Sequence, residues 1–160
     1  MMAKRGNVPT PSAAERATPP IHVLLVEDNP ADVVLTKIAF ADTNEAVLLH
    51  VARDGVSAMD FLLQKADYAD APRPAIVLLD LNLPRMDGRE VLNQMKAQGR
   101  LRSIPTIVLS MSDREADVQT SYDLHANAFM RKPLEFDAFA RLIGSVNDFW
   151  LTEAILPLAT

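Results

Sequence analysis

"AIVLLDLNLPRMDG", residues 75–88, drives an apolar run straight into a carboxylate. The aliphatic stretch at 76–79 is too short for a helix and is bounded by turn residues, so it reads as a buried strand. Asp80 then stands where that strand leaves the interior. Pro84 stiffens the turn that follows, and Gly88 lets the chain fold tightly into the next element. Asp87, three residues before Glu90, has the spacing of a helix N-cap and is assigned that structural role.

The same pattern extends in both directions. Apolar runs at 23–26 (VLLV) and 106–109 (TIVL) match the first, and weaker strands fit 46–52 (AVLLHVA) and 127–131 (NAFMR). Helical periods fill the intervals near 30–42, 55–64, 88–98, 113–124 and 135–150. Asn29, Pro30 and Asp32 supply a cap, a first-position proline and an early acid for the helix dipole, and Ser112 with Glu115 reads as a capping box. Strand and helix alternating five times predicts an α/β doubly wound fold: a parallel sheet with helices on both faces and right-handed crossovers. "QKADYADAPRP", 64–74, is the one long connection and is expected to be exposed.

The composition sets bounds on function. The 160 residues suffice for one full core, and 49% hydrophobic with 23% charged residues is ordinary globular content. A net charge of -5 gives no electrostatic reason to bind nucleic acid. With no cysteine there is neither a disulfide frame nor a thiolate metal site, which fits a reducing compartment, the cytoplasm. No run approaches the roughly 18 apolar residues needed to span a membrane, and Lys4 and Arg5 are not followed by the apolar core of a signal peptide. Residues 1–20 read as a flexible leader or a short partner-binding peptide, 21–150 as the domain, and 151–160 as a tail.

In a doubly wound sheet, ligands bind beyond the carboxyl ends of the strands. The residues there are Glu27 and Asp28 after the first strand, Asp80 after the third, Ser110 after the fourth and Lys132 after the fifth. Three acids at one edge repel each other and call for a cation. Oxygen donors without His or Cys favour a hard ion of the Mg²⁺ type, and a lysine and a serine facing it suit phosphoryl oxygens. Taken singly, each has a plainer role: loop solvation for Glu27 or Asp28, a loop hydrogen bond for Ser110, a surface cation for Lys132. Their joint placement at four strand ends is what points to phosphoryl chemistry.

"VLLVEDNPAD", "IVLLDLNLPRMDG", "IPTIVLS" and "ANAFMRKP" together resemble the receiver domain of two-component response regulators over about 21–146. The resemblance implies a flavodoxin-like (βα)5 fold with strand order 2-1-3-4-5. It implies Asp80 as phosphoacceptor, with Mg²⁺ held by Glu27, Asp28, Asp80 and the backbone carbonyl of Asn82. Ser110 and Lys132 would contact the phosphoryl group, Phe129 would be the aromatic that moves with Ser110, and a cis peptide bond would precede Pro133. The implied partner is a sensor histidine kinase, with a histidine phosphotransfer protein as a further recipient. Catalysis would be limited to the protein's own phosphorylation and dephosphorylation. Phe129 stands where many receivers have tyrosine, and Met111 where a small residue is common; Met111 either shades the phosphoryl group from water or packs outward.

The "DFWLTEAILP" ending resembles single-domain regulators associated with bacterial phytochromes, which implies a bacteriophytochrome kinase and dimerisation through the last helix. In that helix Phe136, Phe139, Ile143, Val146 and Trp150 form a core-facing arc, and Ala138, Leu142 and Phe149 a second one. Leu142, Phe149 and Trp150 are the dimer candidates, with a tail folded back on its own domain as the alternative. The ten residues after Trp150 leave no room for a DNA-binding or enzymatic output domain. His22, His50 and His125 are scattered without ligand spacing and read as structural or surface residues. Two rival functions stay open. One is an aspartyl-nucleophile phosphatase, against which Asn82 stands where a second Asp is usual; the other is a pseudo-receiver that binds without accepting phosphate.

Overall fold

The computed structural model describes residues 19–43 and 46–157. Most of the leader expected at 1–20, and the last three residues of the tail, lie outside the described residues. Element order is β1 Ile21–Val26, α1 Pro30–Ala41, β2 Val47–Ala52, α2 Gly55–Leu62, β3 Ile76–Leu79, α3 Gly88–Ala97, β4 Thr106–Ser110, α4 Glu115–Asp123, β5 Ala128–Arg131 and α5 Phe136–Val146. The five strands form one parallel sheet in the order β2-β1-β3-β4-β5, as the resemblance implied.

Side chains alternate across each strand, and this splits the core in two. Leu24, Val26, Val77, Leu79 and Val108 pack under α2 and α3 with Phe61, Leu92 and Met95. Val23, Leu25, Ile76, Leu78, Ile107 and Leu109 pack under α1 and α5 with Val33, Phe40, Phe139 and Ile143. Both faces of β3 and β4 are fully covered, which explains why their sequences are unbroken aliphatic runs. Each such side chain contributes about 1.5–3 kcal/mol by burial, so the sheet centre is the rigid frame for whatever stands at its carboxyl edge.

The helix starts show which local signals hold. Asn29 caps α1, its side chain accepting from Ala31 N and Asp32 N, with Pro30 in the first turn. Asp87 caps α3 by accepting from Arg89 N. The capping box expected at Ser112 does not form: α4 begins at Glu115 with Arg114 as an N-cap that makes no side-chain bond. Ser112 gives its hydroxyl proton to Asp117 Oδ2 (2.5 Å) and accepts from Arg114 N (3.2 Å), so it closes the loop instead of the helix.

The 64–74 connection contains one 3₁₀ turn, Ala66–Tyr68, with Gln64 and Ala66 at positive φ. At the other end of the chain, α5 stops at Val146 and continues as a π-helical turn, Asn147–Glu153. A π-turn closes its hydrogen bonds over five residues where an α-helix closes them over four, so it advances less per residue around the axis. Asn147 is buried, the next buried apolar position after Val146 is Leu151, and Trp150 packs on the same core while only half-buried. Phe139, Ile143 and Val146 do face the core, whereas Phe136, placed in the same arc, is 48% exposed.

Candidate functional site

Strand β1 delivers Glu27 and Asp28 to the carboxyl edge, and β3 delivers Asp80 beside them. Carboxylate oxygens of the three residues lie within 4.8 Å of one another. Glu27 is buried and Asp80 nearly so, while Asp28 is exposed. Lys132, at the end of β5, reaches into the trio. Its ammonium contacts Glu27 Oε2, Asp80 Oδ2 (3.0 Å) and Asp32 Oδ2 (3.2 Å), with only 5% of the side chain exposed.

Burial disfavours the ammonium charge, but Asp80 and Glu27 outweigh it and hold the Lys132 pKa above that of an ordinary lysine. For Glu27 the balance is opposite. Burial raises its pKa to about 7 against the lowering influence of Lys132 and of the Asn29 N–H, which donates to Oε1 at 3.0 Å. Four carboxylates against one ammonium leave a formal excess of negative charge. The donor set is oxygen alone, which suits a hard divalent cation.

The backbone of Asp80 is fixed from two sides. Its N–H donates to Val26 O (3.0 Å), and Gly88 lies so close that an added Cβ would stand 2.2 Å from the Asp80 carbonyl oxygen. Gly88 is needed for this close approach and not for an unusual φ, since no described glycine has positive φ. The Asn82 N–H donates to Asp80 Oδ1 (3.2 Å), which turns the loop back over the acid.

Ser110, fully buried at the end of β4, is on the same edge: its carbonyl oxygen accepts from Lys132 N (2.8 Å), but among the described residues its hydroxyl makes no hydrogen bond to Asp80 or Lys132. Its Oγ accepts from Ser112 N (3.1 Å). Ser112 leads to Asp117, whose other oxygen accepts from Arg89 (2.6 Å), and Arg89 also pairs with Asp87 (3.2 Å). These bonds hold Asp117 ionised below the usual carboxylate range, Ser112 first and Arg89 next. The loop carrying Ser110 is thereby clasped to the start of α3. Phe129 is half-buried on the α2–α3 side, and its N–H donates to the Tyr122 hydroxyl (3.2 Å). A tyrosine hydroxyl is thus present at this strand, but it comes from α4.

The cis bond expected before Pro133 is corrected: every peptide bond among the described residues is trans. The tertiary amide of an X–Pro bond leaves the isomers about 0.5–1 kcal/mol apart, so the Lys-Pro pair does not dictate either one. At the last helix, Leu142 and Trp150 are half-buried and Phe149 is 56% exposed, edge-on to Trp150. Asp32, Arg89, Asp117 and Tyr122 were not read as site residues. Of these only Asp32 carried a signal, its place on the first turn of the helix that follows Glu27 and Asp28.

His22 and His50 are brought together across β1 and β2, correcting their reading as scattered. His22 Nδ1 and His50 Nε2 are 2.9 Å apart, and the His50 ring packs on Phe61.

An acid trio and a buried lysine at the carboxyl edge of a 2-1-3-4-5 sheet define a phosphoacceptor module of signalling proteins, and the chain belongs to the response regulator receiver domain family, whose model matches residues 23–143. Among individual proteins it is similar to response regulator Rcp1 of Synechocystis sp., with 40% identity over 91% of this chain and 99% of the relative. The crystal structure of the phosphorylated cyanobacterial phytochrome response regulator RcpA matches with a TM-score of 0.84 and 42% identity, covering 86% of this chain and 99% of that one. The Mn²⁺-bound form of Rcp1 matches with a TM-score of 0.83 and 40% identity over 87% of this chain and the whole of the other. No helix among the described residues is long and apolar enough to cross a membrane.

Proposed function

We propose that the chain receives a phosphoryl group on Asp80 from a sensor histidine kinase and changes conformation in response. The observation that carries this is Lys132, buried and touching Asp80 and Glu27 at the strand edge where a phosphoryl group would need a counter-charge. In the transfer, an Asp80 carboxylate oxygen forms a bond to phosphorus as the bond to the donor nitrogen breaks. Lys132 offsets charge on the phosphoryl oxygens, and most of the catalysis is positioning. Glu27, Asp28, Asp80 and the Asn82 backbone carbonyl would hold Mg²⁺, which when bound supplies further neutralisation of phosphoryl charge. Ser110 then exchanges its bond to Ser112 for one to the phosphoryl group, and Phe129 follows the loop as the second element of the switch.

The similarity to the cyanobacterial phytochrome response regulator supports a bacteriophytochrome kinase as the donor. A histidine phosphotransfer protein is a further recipient, and a cytoplasmic setting fits both exchanges. The receiver unit runs over 21–150, and we assign Leu142, Phe149 and Trp150, with the 151–160 tail, to a homodimer interface. The exposed Phe149 favours that reading. A monomeric mass at micromolar concentration, unchanged in Leu142→Glu, would remove the dimer from this account.

Incubation with acetyl phosphate and Mg²⁺ followed by intact mass tests the central step. A stable gain of one phosphoryl group, absent in Asp80→Asn, is the expected result. Turnover of assorted phosphate esters would make the chain a phosphatase, and no gain from any donor, kinases included, would make it a binding module.

A further inference from the structure

An ammonium has three N–H donors, and all three of Lys132 are aimed at carboxylates. Two of the acceptors, Glu27 and Asp80, belong to the trio suited to a divalent cation. The third, Asp32, lies outside it. Its place at the first turn of α1 gives it a plain structural role, because helix amides favour an acid there. The carboxylate nonetheless sits 3.2 Å from the Lys132 ammonium, with 20% of the side chain exposed. The cap that starts α1 also ties the two acids together: Asn29 Oδ1 accepts from Asp32 N (3.4 Å), while Asn29 N donates to Glu27 (3.0 Å).

A metal ion and Lys132 draw on the same two carboxylates, Glu27 and Asp80. A carboxylate that turns toward the metal loosens its hold on the ammonium, and two cations in one pocket repel each other. A buried ammonium left without partners would leave the site for water. We propose that Asp32 is a positioning residue for Lys132: it holds the ammonium in place when Glu27 and Asp80 turn to the metal. This rests on the reading of the trio as a divalent-cation site. Asp32 acts through the lysine and not as a metal ligand.

Calorimetric titration of the full chain with Mg²⁺, with no phosphodonor present, tests this in wild type, Asp32→Asn, Lys132→Met and the double variant. Asp32→Asn removes the charge and keeps the shape. Its loss of Mg²⁺ affinity should be about fivefold greater when Lys132 is present than in the Lys132→Met background, a coupling typical of residues in contact. Equal losses in both backgrounds, a larger loss without Lys132, or no loss at all would overturn the proposal, the first by assigning Asp32 to plain attraction of the ion. The Lys132 ammonium resonance gives a second readout that needs only the Asp32 variant, and it decides the matter if Lys132→Met does not fold. It should stay protected from exchange in Mg²⁺-loaded wild type and lose protection in Asp32→Asn; retained protection overturns the role. If wild type binds no Mg²⁺, the reading of the trio falls first, and this role with it.

Discussion

Replacing Gly88 by alanine adds one methyl group at the tightest point behind the acceptor loop. The new Cβ would stand 2.2 Å from the Asp80 carbonyl oxygen, 2.7 Å from Leu81 Cα and 3.0 Å from the Asp80 carbonyl carbon. Ordinary contact begins at 3.4 Å, and all three neighbours are backbone atoms that cannot rotate away. The loop must move by about 1 Å, and such overpacking costs about 1–3 kcal/mol. Alanine regains part of that, up to about 1 kcal/mol, as the better helix former. The net expectation from the two is destabilisation by about 1–2 kcal/mol in urea unfolding. The Asp80 carboxylate rides on the same backbone, and a misplacement of about 1 Å can lower a rate about a hundredfold. Phosphorylation by acetyl phosphate, followed by intact mass, should therefore slow by one to two orders of magnitude, about 10- to 100-fold. Gly99→Ala is the control, because a Cβ there meets nothing within 4 Å. If Gly88→Ala were as stable as that control and were phosphorylated at the wild-type rate, the packing argument would be wrong.

Asn29→Ala should cost about 1 kcal/mol of stability through loss of the α1 cap, read from the urea midpoint; an unchanged midpoint would show that the two amide bonds to its side chain carry no net energy. Burial first, and the His22 charge second, hold the His50 pKa below its ordinary value, so its neutral form is favoured in the fold and the associated stability, full above about pH 6.5, is lost as pH falls. Glu27, raised to about 7, works in the opposite sense over the same window, so the test is the difference between variant and wild type. His50→Phe should gain stability relative to wild type between about pH 7 and pH 5.5, and parallel stability curves would contradict the assignment. Met111 is 55% exposed beside Ser110; if it shades the phosphoryl group, Met111→Ala shortens the phosphoryl lifetime severalfold, whereas an unchanged lifetime means the side chain simply points outward.

Strands β1, β3 and β4 were legible because burial on both faces writes itself as a continuous aliphatic run. So were the strand-end acids and Lys132, because a parallel sheet fixes which residues follow each run. Caps at Asn29 and Asp87 were legible because donor and acceptor lie two residues apart in each. What escaped were pairs distant in sequence: Arg89 with Asp117 and His22 with His50, each 28 residues apart, and Lys132 with Asp32, 100 apart. Ser112 was misread for the same reason, since a local cap spacing competed with a hydroxyl–carboxylate bond that Arg89 helps to orient. The arc drawn on the last helix missed at Phe136, which the first turn of α5 leaves exposed. Beyond Val146 the π-turn buries Leu151 while Trp150 packs on the core only in part, a phase that a pattern assuming 100° per residue does not follow.

The clasp from Ser110 through Ser112 and Asp117 to Arg89 and Asp87 joins the loop before α4 to the helix that Gly88 seats against Asp80. Linkage makes that connection reciprocal. If a phosphoryl group on Asp80 shifts α4, a protein that favours the shifted α4 stabilises the phosphorylated state by the same free energy. On the proposed reading, a protein bound at α4 would therefore also set how stably Asp80 keeps its phosphoryl group.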